Sequence, residues 1–433
     1  MDKIRIGLVG FGTAGTGTVR CLLEGREWIS RQAGIQLDLA GIADVELERD
    51  RGIDLGGIPL TRDAGELIRS PEIDVIVELV GGTDVARQFI EDSLDLGKDV
   101  VTANKALLAI HGADLFERAE RKGCLIGYEA AVCGGIPVID ALNNGVSATR
   151  VSSIYGIING TCNYILTKMS EGAGDYQAVL SEAQSLGYAE ADPTADVEGV
   201  DAAHKIVILA SLAFGQQIDL SDIHCEGISQ VSAFDLDYAR ELGYVVKLLA
   251  VSKEDADGIQ VRVHPTMIPR RSLLASVGGV FNAVRIEGRP LGSVMLYGPG
   301  AGADATGNAV VSDLIQLARL KVGGGLARSF RNFYTPGKKV KPMADTVCPY
   351  YLRFRTLDQP GVIAKISKIL GDRRISIASM IQHQATHPDW VPVVLMTHRA
   401  REKDIMEALA LIDRLEVIVE KSLAMRVEQM EEG

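Results

Sequence analysis

Short apolar runs alternate with amphipathic stretches along the first third of the chain. Apolar runs of strand length, separated by helical periodicity, predict buried parallel strands joined by crossover helices. The predicted strands are residues 4–9, 37–43, 73–80, 100–102 and 124–128, and the clearest intervening helices are 85–96 and 106–121. A doubly wound parallel sheet, an α/β architecture, is therefore expected here.

Beyond residue 150 the strict alternation ends. Apolar, β-branched segments predict strands at 151–158, 259–263 and 280–286, whereas helical periodicity predicts helices at 176–186, 200–214 and 234–252. Strands and helices mixed in this way indicate an α+β domain.

The C-terminal segment has a third pattern. The run YTPGKKVKP, which begins at residue 334, is typical of a linker, and D-Q-P-G at 358–361 is typical of a turn. The elements predicted after the linker are a strand at 350–355, a helix at 362–370, strands at 375–380 and 391–397, a helix at 402–412 and a strand at 417–419. Their order is βαββαβ.

Composition narrows the class of protein. The chain has 433 residues and a formal net charge of −12, which argues against a nucleic-acid partner because such proteins rely on clustered Lys and Arg. No apolar run reaches membrane-spanning length, and the strand pattern begins too close to Met1 for a signal peptide. Six cysteines without a CxxC pair are typical of reduced thiols, so we expect a cytoplasmic protein without a membrane partner.

The first predicted strand ends in a glycine-rich turn. The letters GFGTAG at 10–15 match G-x-G-x-x-G between a strand and a helix, which is the arrangement that binds a dinucleotide. The first glycine permits the turn, the second admits the pyrophosphate, and the third lets helix and strand pack closely. The predicted cofactor-binding residues in this Rossmann-type turn are Gly10, Phe11, Gly12, Thr13, Ala14 and Gly15.

The choice between NAD and NADP stays open. Asp44 closes the second strand, where a carboxylate accepts a hydrogen bond from the ribose 2′-hydroxyl of NAD. Arg49 and Arg51 follow closely and are candidates for the 2′-phosphate of NADP. Lys105 lies just beyond another strand end, so we expect it to face the crevice where ligands bind. The alternative is an exposed loop lysine.

An acidic segment precedes an apolar helix in the middle of the chain. Residues 183–205 read AQSLGYAEADPTADVEGVDAAHK, and Asp201 and Lys205 are four apart, so they share one helical face. From 206 to 214 the only polar side chain is Ser211, which predicts an interior helix. A lysine at the start of such a helix needs a partner or loses its proton, so Lys205 is a candidate for chemistry. The alternative is a solvent-facing pair of little consequence.

This acidic run resembles the signature of the homoserine dehydrogenase family. GIINGTCNYIL at 156–166, TANK at 102–105 and GPGAGADAT at 298–306 are also similar to that family and occur in the same order, and the resemblance covers roughly residues 1–330. It implies NAD(P)-dependent interconversion of L-homoserine and L-aspartate 4-semialdehyde in threonine, methionine and isoleucine biosynthesis. It also implies a homodimer or homotetramer.

The resemblance assigns roles to individual residues. Lys205 resembles the proton donor and acceptor at the reacting oxygen, and Lys105 is similar to the second active-site lysine. The chemistry independently supports a lysine at the reacting oxygen: hydride reduction of an aldehyde develops negative charge on its oxygen, and a positively charged donor stabilises that charge. The implied substrate ligands are Glu190, Asp196 and Asp201, and the further implied cofactor contacts are Thr102, Lys105, Gly187 and Gly302.

The segment YEAAVCGGIP at 128–137 is similar to the sodium-binding loop of that family. An all-oxygen ligand set suits a hard cation. Taken alone, Glu129 could equally be an ordinary loop carboxylate. The ligands implied by the resemblance are the carboxylate of Glu129 and the backbone carbonyls of Val132, Gly134 and Ile136.

The C-terminal βαββαβ order, with D-x-P-G opening its first helix, resembles the ACT domain, a ferredoxin-like module that senses small molecules. In this family it implies feedback by an amino acid, with threonine as the first candidate. Ser376 stands where many amino-acid-binding relatives carry Asn, so a module that only joins subunits remains the alternative.

The motifs and patterns together predict four segments. These are a nucleotide-binding domain at 1–135 completed by about 303–330, a catalytic and dimerisation domain at 136–302, a linker at 331–348 and an ACT regulatory domain at 349–433. Two other functions remain open. One is a Rossmann-type oxidoreductase that acts on a different amino or sugar substrate, and the other is a catalytically silent effector sensor that keeps the nucleotide-binding fold.

Overall fold

The computed structural model describes residues 3–323, 337–382 and 390–430, so part of the predicted linker lies outside the described residues. The chain divides into two compact units. The first unit comprises Met1–Gly160, Asp201–Ser221 and Val280–Lys338, and the second comprises Thr161–Val200, Asp222–Gly279 and Lys339–Gly433. Within the described ranges no helix is long and apolar enough to cross a membrane. All six cysteines are free thiols.

Helices and strands are interspersed along the described parts of the chain. The strands are β1 Lys3–Val9, β2 Gln36–Ala43, β3 Leu60–Thr61, β4 Val75–Glu78, β5 Asp99–Thr102, β6 Ile126–Gly127, β7 Arg150–Ile157, β8 His224–Cys225, β9 Tyr244–Glu254, β10 Ile259–Pro269, β11 Phe281–Arg289, β12 Gly292–Pro299, β13 Val347–Cys348, β14 Tyr350–Thr356, β15 Ile377–Ile381, β16 Val391–Thr397, β17 Ala400–Arg401 and β18 Ile418–Val427. The helices are α1 Thr13–Glu24, α2 Arg26–Ala33, α3 Ala64–Arg69, α4 Val85–Asp95, α5 Lys105–Lys122, α6 Val138–Asp140, α7 Gly160–Ser170, α8 Tyr176–Ser185, α9 Thr194–Val197, α10 Val200–Phe214, α11 Ala233–Glu241, α12 Ala303–Val322, α13 Val362–Asp372 and α14 Glu402–Ile412.

A six-stranded parallel sheet organises the first unit. Its strand order is β3-β2-β1-β4-β5-β6, and every neighbouring pair is parallel. All four residues of β4 are buried, as expected for a strand covered by helices on both faces. The predicted doubly wound α/β sheet is therefore confirmed. The same unit also contains β12, β11 and β7 paired antiparallel, so it includes strands from far along the chain.

The second unit contains the predicted βαββαβ module. Its strands run in the order β18-β14-β16-β15, all antiparallel, and the module has its own apolar core around Phe354, Ile366 and Ile405. The end of β18 continues beyond the module and pairs in parallel with β10, which forms an antiparallel hairpin with β9. The module and the hairpin thus share one run of hydrogen-bonded strands.

The predicted helix at 234–252 is wrong in its second half. A helix forms only over α11, and Gly243 then takes a left-handed conformation with φ of 83°, after which β9 begins. All eleven residues of β9 pair with β10, and its seven central residues are buried. Its apolar, partly β-branched run suited either a helix or a strand, and the available strand partner decided between them.

Lys247 is a buried lysine on β9 with only 3% of its surface exposed. Its ammonium donates to the side-chain oxygen of Asn163 at 2.9 Å and to the carbonyl of Val277 at 2.6 Å. Burial lowers the pKa of Lys247 to about 8, because desolvation disfavours the charged form.

We expect Lys247 to make stability depend on pH above neutrality. Its pKa is lowered on folding, so between pH 8 and 10.5 the unfolded chain binds more protons at this lysine, and the contribution of Lys247 to the free energy of unfolding rises with pH. This contribution rises by about 3 kcal/mol over that range. Urea denaturation of the wild type and of Lys247→Met at several pH values checks this, and the free energy of unfolding of the wild type should rise with pH relative to that of the variant. Parallel pH profiles for the two proteins would contradict it.

Candidate active site

The glycine-rich turn closes tightly after β1. Gly10 has φ of 100°, and a Cβ atom there would lie 2.6 Å from the carbonyl carbon of Leu79. A Cβ on Gly15 would lie 2.2 Å from the carbonyl oxygen of Gly10, so both positions exclude larger residues. Helix α1 begins directly after Gly12 and has no acidic residue in its first turn. Its free N–H groups and dipole therefore suit a pyrophosphate.

A charged pair holds both sides of the Phe11 peptide in this turn. Asp44, just after β2, accepts the N–H of Phe11 at 2.5 Å, and the Nε of Arg51 donates to its carbonyl at 2.7 Å. Arg51 also lies 3.2 Å from Asp44 and stacks on the Phe11 ring at 4.6 Å. Of the three candidates for ribose recognition, Asp44 and Arg51 are thus neighbours, whereas Arg49 pairs with Glu46 at 3.2 Å.

Lys205 is buried and paired, so the solvent-facing alternative does not hold. Lys205 is 8% exposed and Asp201 is 7% exposed, and both residues lie on α10. The Lys205 ammonium donates to Oδ2 of Asp201 at 2.7 Å and to the carbonyl of Ile158 at 2.8 Å. The apolar helix thus carries a buried ion pair at its start.

Lys105 brings a second positive charge to the same carboxylate. It is the first residue of α5, which Asn104 caps, and its Nζ lies 2.9 Å from Oδ1 of Asp201. The Lys105 side chain is 42% exposed, so it faces open space on its other side. Burial raises the pKa of Asp201, but the charges of Lys205 and Lys105 outweigh it and hold this pKa well below its usual range. Two cations from different helices therefore meet at one ionised carboxylate.

Asn159 completes this group, and the sequence analysis did not single it out. Its side-chain amide donates to Oδ2 of Asp201 at 2.9 Å. Asn159 lies two residues after the end of β7, within the GIINGT motif, so a polar residue close to a strand end was the available signal. Glu78 was also missed. It is fully buried at the end of β4, and its Oε2 accepts a hydrogen bond from the Thr102 hydroxyl at 2.7 Å.

The remaining predicted residues lie in several places. Gly302 has φ of 119° and immediately precedes α12 in the first unit. Gly187, Glu190 and Asp196 belong to the second unit. There Asp196 accepts the Thr161 hydroxyl at 3.0 Å, whereas the Glu190 side chain is exposed. The assigned roles of these four residues stay predictions.

Glu129 is a buried residue, only 4% exposed, that lies before α6. Its Oε1 accepts the N–H of Ile139 at 2.9 Å, and its Oε2 accepts the N–H of Asp140 at 2.7 Å. Burial raises the pKa of Glu129 to about 7, and hydrogen bonds from backbone N–H groups, including these two, only partly offset that effect. Asp313 accepts the Glu129 N–H at 2.9 Å, and burial raises the pKa of Asp313 well above its usual range. A nearby cation would stabilise the ionised form of Glu129.

The fold and the site together define a class of protein. A parallel sheet with a tight glycine turn and a paired, buried lysine are features of an NAD(P)-dependent oxidoreductase. Three family models match the chain: "Homoserine dehydrogenase, NAD binding domain" at residues 10–129, "Homoserine dehydrogenase" at 137–315 and "ACT domain" at 350–417. The chain belongs to the homoserine dehydrogenase family.

Relatives match along the whole chain. A homoserine dehydrogenase of Pseudomonas aeruginosa is 43% identical over 99% of this chain and 100% of its own, and that of Bacillus subtilis is 38% identical over 99% of each. The crystal structure of a homoserine dehydrogenase from Thiobacillus denitrificans is 42% identical with a TM-score of 0.94, covering 99% of this chain and 98% of its own. A hyperthermophilic archaeal homoserine dehydrogenase in complex with NADPH is 28% identical with a TM-score of 0.62, covering 74% of this chain and 98% of its own.

Proposed function

We propose that this protein interconverts L-homoserine and L-aspartate 4-semialdehyde with NAD or NADP, in threonine, methionine and isoleucine biosynthesis. The observation that carries the proposal is the contact of Lys205 and Lys105 with the two oxygens of one buried carboxylate, Asp201. Relatives that match along the whole chain and are named homoserine dehydrogenase support it. The cytoplasmic location expected from composition is part of the same proposal.

The lysine pair suits reversible proton transfer at the reacting oxygen. The nicotinamide, when bound, supplies or accepts the hydride. In the direction of reduction the Lys205 ammonium donates a proton to the oxygen as negative charge develops there, and in oxidation its amine takes that proton back. Asp201 holds the Lys205 ammonium by a 2.7 Å hydrogen bond, which fixes its position before the reaction. Lys105 adds a second positive charge close to the same carboxylate.

Substrate and cofactor contacts complete the proposal. Glu190 and Asp196 remain candidate substrate ligands because a zwitterionic amino acid needs an anionic partner for its ammonium. Asp44 and Arg51 lie together beside the glycine turn, so the chain carries partners for both a ribose hydroxyl and a 2′-phosphate. We therefore propose that both NAD and NADP are accepted. Steady-state kinetics with each cofactor measures the preference.

Replacing Lys205 tests the catalytic proposal. We expect Lys205→Met to lower kcat for homoserine oxidation roughly 10²–10⁴-fold, because proton transfer by a positioned group contributes that much. Cofactor affinity, measured by fluorescence titration with both NADH and NADPH, should change little.

Lys98→Met is the matched control in this experiment. Lys98 is also a buried lysine of the first unit, and it donates only to backbone carbonyls at Ser70 and Ile73. This variant is expected to keep its kcat if it folds. A Lys205→Met enzyme with unchanged kcat would refute the assigned role, and equal turnover of unrelated alcohols would favour a different substrate.

We propose that the Glu129 loop binds a sodium ion. The support is chemical: a buried carboxylate whose pKa is raised to about 7 gains from a neighbouring cation, and its two oxygens together offer about four lone pairs, more than the backbone N–H groups of Ile139 and Asp140 occupy. The carbonyls of Val132, Gly134 and Ile136 would supply the remaining oxygens. Hard cations prefer such ligands.

Thermal unfolding tests the sodium proposal. Replacing choline chloride by sodium chloride at equal ionic strength should raise Tm, because a ligand that binds only the folded protein stabilises it. The shift should be lost in Glu129→Gln, whose neutral amide is a poorer cation ligand. Equal Tm values of the wild type in the two salts would argue against a specific site.

We propose that the C-terminal module binds an amino-acid effector, with threonine as the first candidate. A cavity of about 510 Å³ lies beside the turn between β14 and α13 and is lined by Asp358, Gln359 and Gly361. Asp358 suits an ammonium group. The N-terminus of α13, which has no acidic residue in its first turn, suits a carboxylate.

We also propose that the protein is a homodimer or a homotetramer, as the resemblance implied. Light scattering measures the oligomeric state.

Inhibition assays test the effector cavity. We expect Asp358→Asn to raise the threonine concentration for half-inhibition about tenfold or more, since it removes the charge that pairs with the ammonium. The value of kcat without threonine should stay unchanged. Glu416→Gln, which also removes an exposed carboxylate from the module but does not line the cavity, serves as control. Full sensitivity in Asp358→Asn would exclude this cavity.

A further inference from the structure

A second cavity in the C-terminal module lies between the end of α13 and the start of α14. Its volume is about 710 Å³, within the range of small-molecule sites. Among the described residues, it shares no lining residue with the cavity beside Asp358. Four of its lining residues are arginines: Arg373, Arg374, Arg399 and Arg401.

Arg374 occupies a backbone position that favours glycine. Helix α13 ends with the N–H of Ile375 bonded to the carbonyl of Leu370 and the N–H of Arg374 bonded to that of Gly371, so Arg374 is the residue that must turn left-handed. Its φ is 59°. Helices α2 and α5 place Gly34 and Gly123 in left-handed conformations at their ends. An arginine here carries a backbone cost that glycine avoids, which points to a use for its side chain.

The charges around this cavity leave two arginines available. Arg373 pairs with Glu407, and Arg401 pairs with Asp345. Arg399 donates to the carbonyl of Val347 at 3.0 Å and has no acidic partner within the described part of the chain. The Arg374 side chain makes no hydrogen bond or ion pair with any residue that the structure describes.

Two carboxylates also line the cavity. Asp372 is already paired with Lys368 at 2.8 Å, whereas Asp404 lies in the first turn of α14. The charged groups available to a ligand are therefore the guanidinium groups of Arg374 and Arg399 and one carboxylate, that of Asp404. In a chain of net charge −12 this is a local positive site.

We propose that this arginine cavity binds a small organic phosphate, a phosphomonoester with an apolar body. Guanidinium groups match the geometry of phosphate oxygens and bind them in pairs. The apolar body of the ligand can pack against Ile369, Ile375 and Leu411, which also line the cavity. The site adds a second class of ligand to a module whose other cavity fits an amino acid.

Calorimetric titration tests this site with phenyl phosphate as the probe. The full-length protein is first saturated with NADP, so that the glycine-rich turn does not take up the probe. We expect binding of phenyl phosphate, weaker binding of inorganic phosphate, and none of benzyl alcohol, which lacks the anion. Equal affinity for phenyl phosphate and benzoate would overturn the assignment to phosphate.

Arg374→Gly separates binding from folding. We expect it to weaken phenyl phosphate binding about tenfold or more, because it removes charged hydrogen bonds. Its Tm without ligand should equal or exceed that of the wild type, because glycine relieves the left-handed backbone. Arg399→Lys, which keeps the charge but loses the planar fork, should weaken binding less.

Arg414→Ala is the matched control. Arg414 is an exposed arginine of the same module that does not line the cavity. It should bind phenyl phosphate as the wild type does. The proposal fails if the wild type shows no binding, if Arg374→Gly retains full affinity, or if Arg414→Ala loses as much affinity as Arg374→Gly.

Discussion

The first unit depends on keeping one buried carboxylate ionised. Burying the Asp201 carboxylate without partners would cost several kcal/mol, so its neighbours must be cationic or donate hydrogen bonds. Lys205 from α10, Lys105 from α5 and Asn159 after β7 meet this requirement together. Because Lys205 is itself buried, removing Asp201 would leave a buried cation without its neighbouring carboxylate. Each member of the group therefore holds the others in place.

The parallel sheet places Lys105 at the same edge as the glycine turn. Its strands end at one edge, and the residues that follow those ends include the glycine turn after β1, Asp44 after β2 and Lys105 after β5. Ligands of such sheets bind at this edge. The clamp of Asp44 and Arg51 on the Phe11 peptide gives the turn a fixed shape before any cofactor arrives. Tight positioning of this kind reduces the ordering cost of binding.

In the second unit, paired strands and buried charges connect the C-terminal module to the hairpin of β9 and β10. Beyond the parallel pairing of β18 with β10, Arg426 binds Glu402 within the module and Glu226 outside it. Glu428 pairs with Arg262 on β10. Arg426, Glu402, Glu428 and Arg262 are almost fully buried, so separating β18 from β10 would break ion pairs between buried charges. A displacement of β18 must therefore be accommodated by the hairpin.

The sequence by itself determined the parallel sheet, the glycine turn, the βαββαβ module and helix α10, because their apolar periods and turn residues are local signals. It also indicated Lys205, since a lysine four residues from an aspartate on an apolar helix is a local pattern. The strand at 244–254 was decided only by its pairing with β10. Only the tertiary structure brought Asn159, Lys105 and Asp201 together, because residues so far apart along the chain meet only after strands and helices have packed.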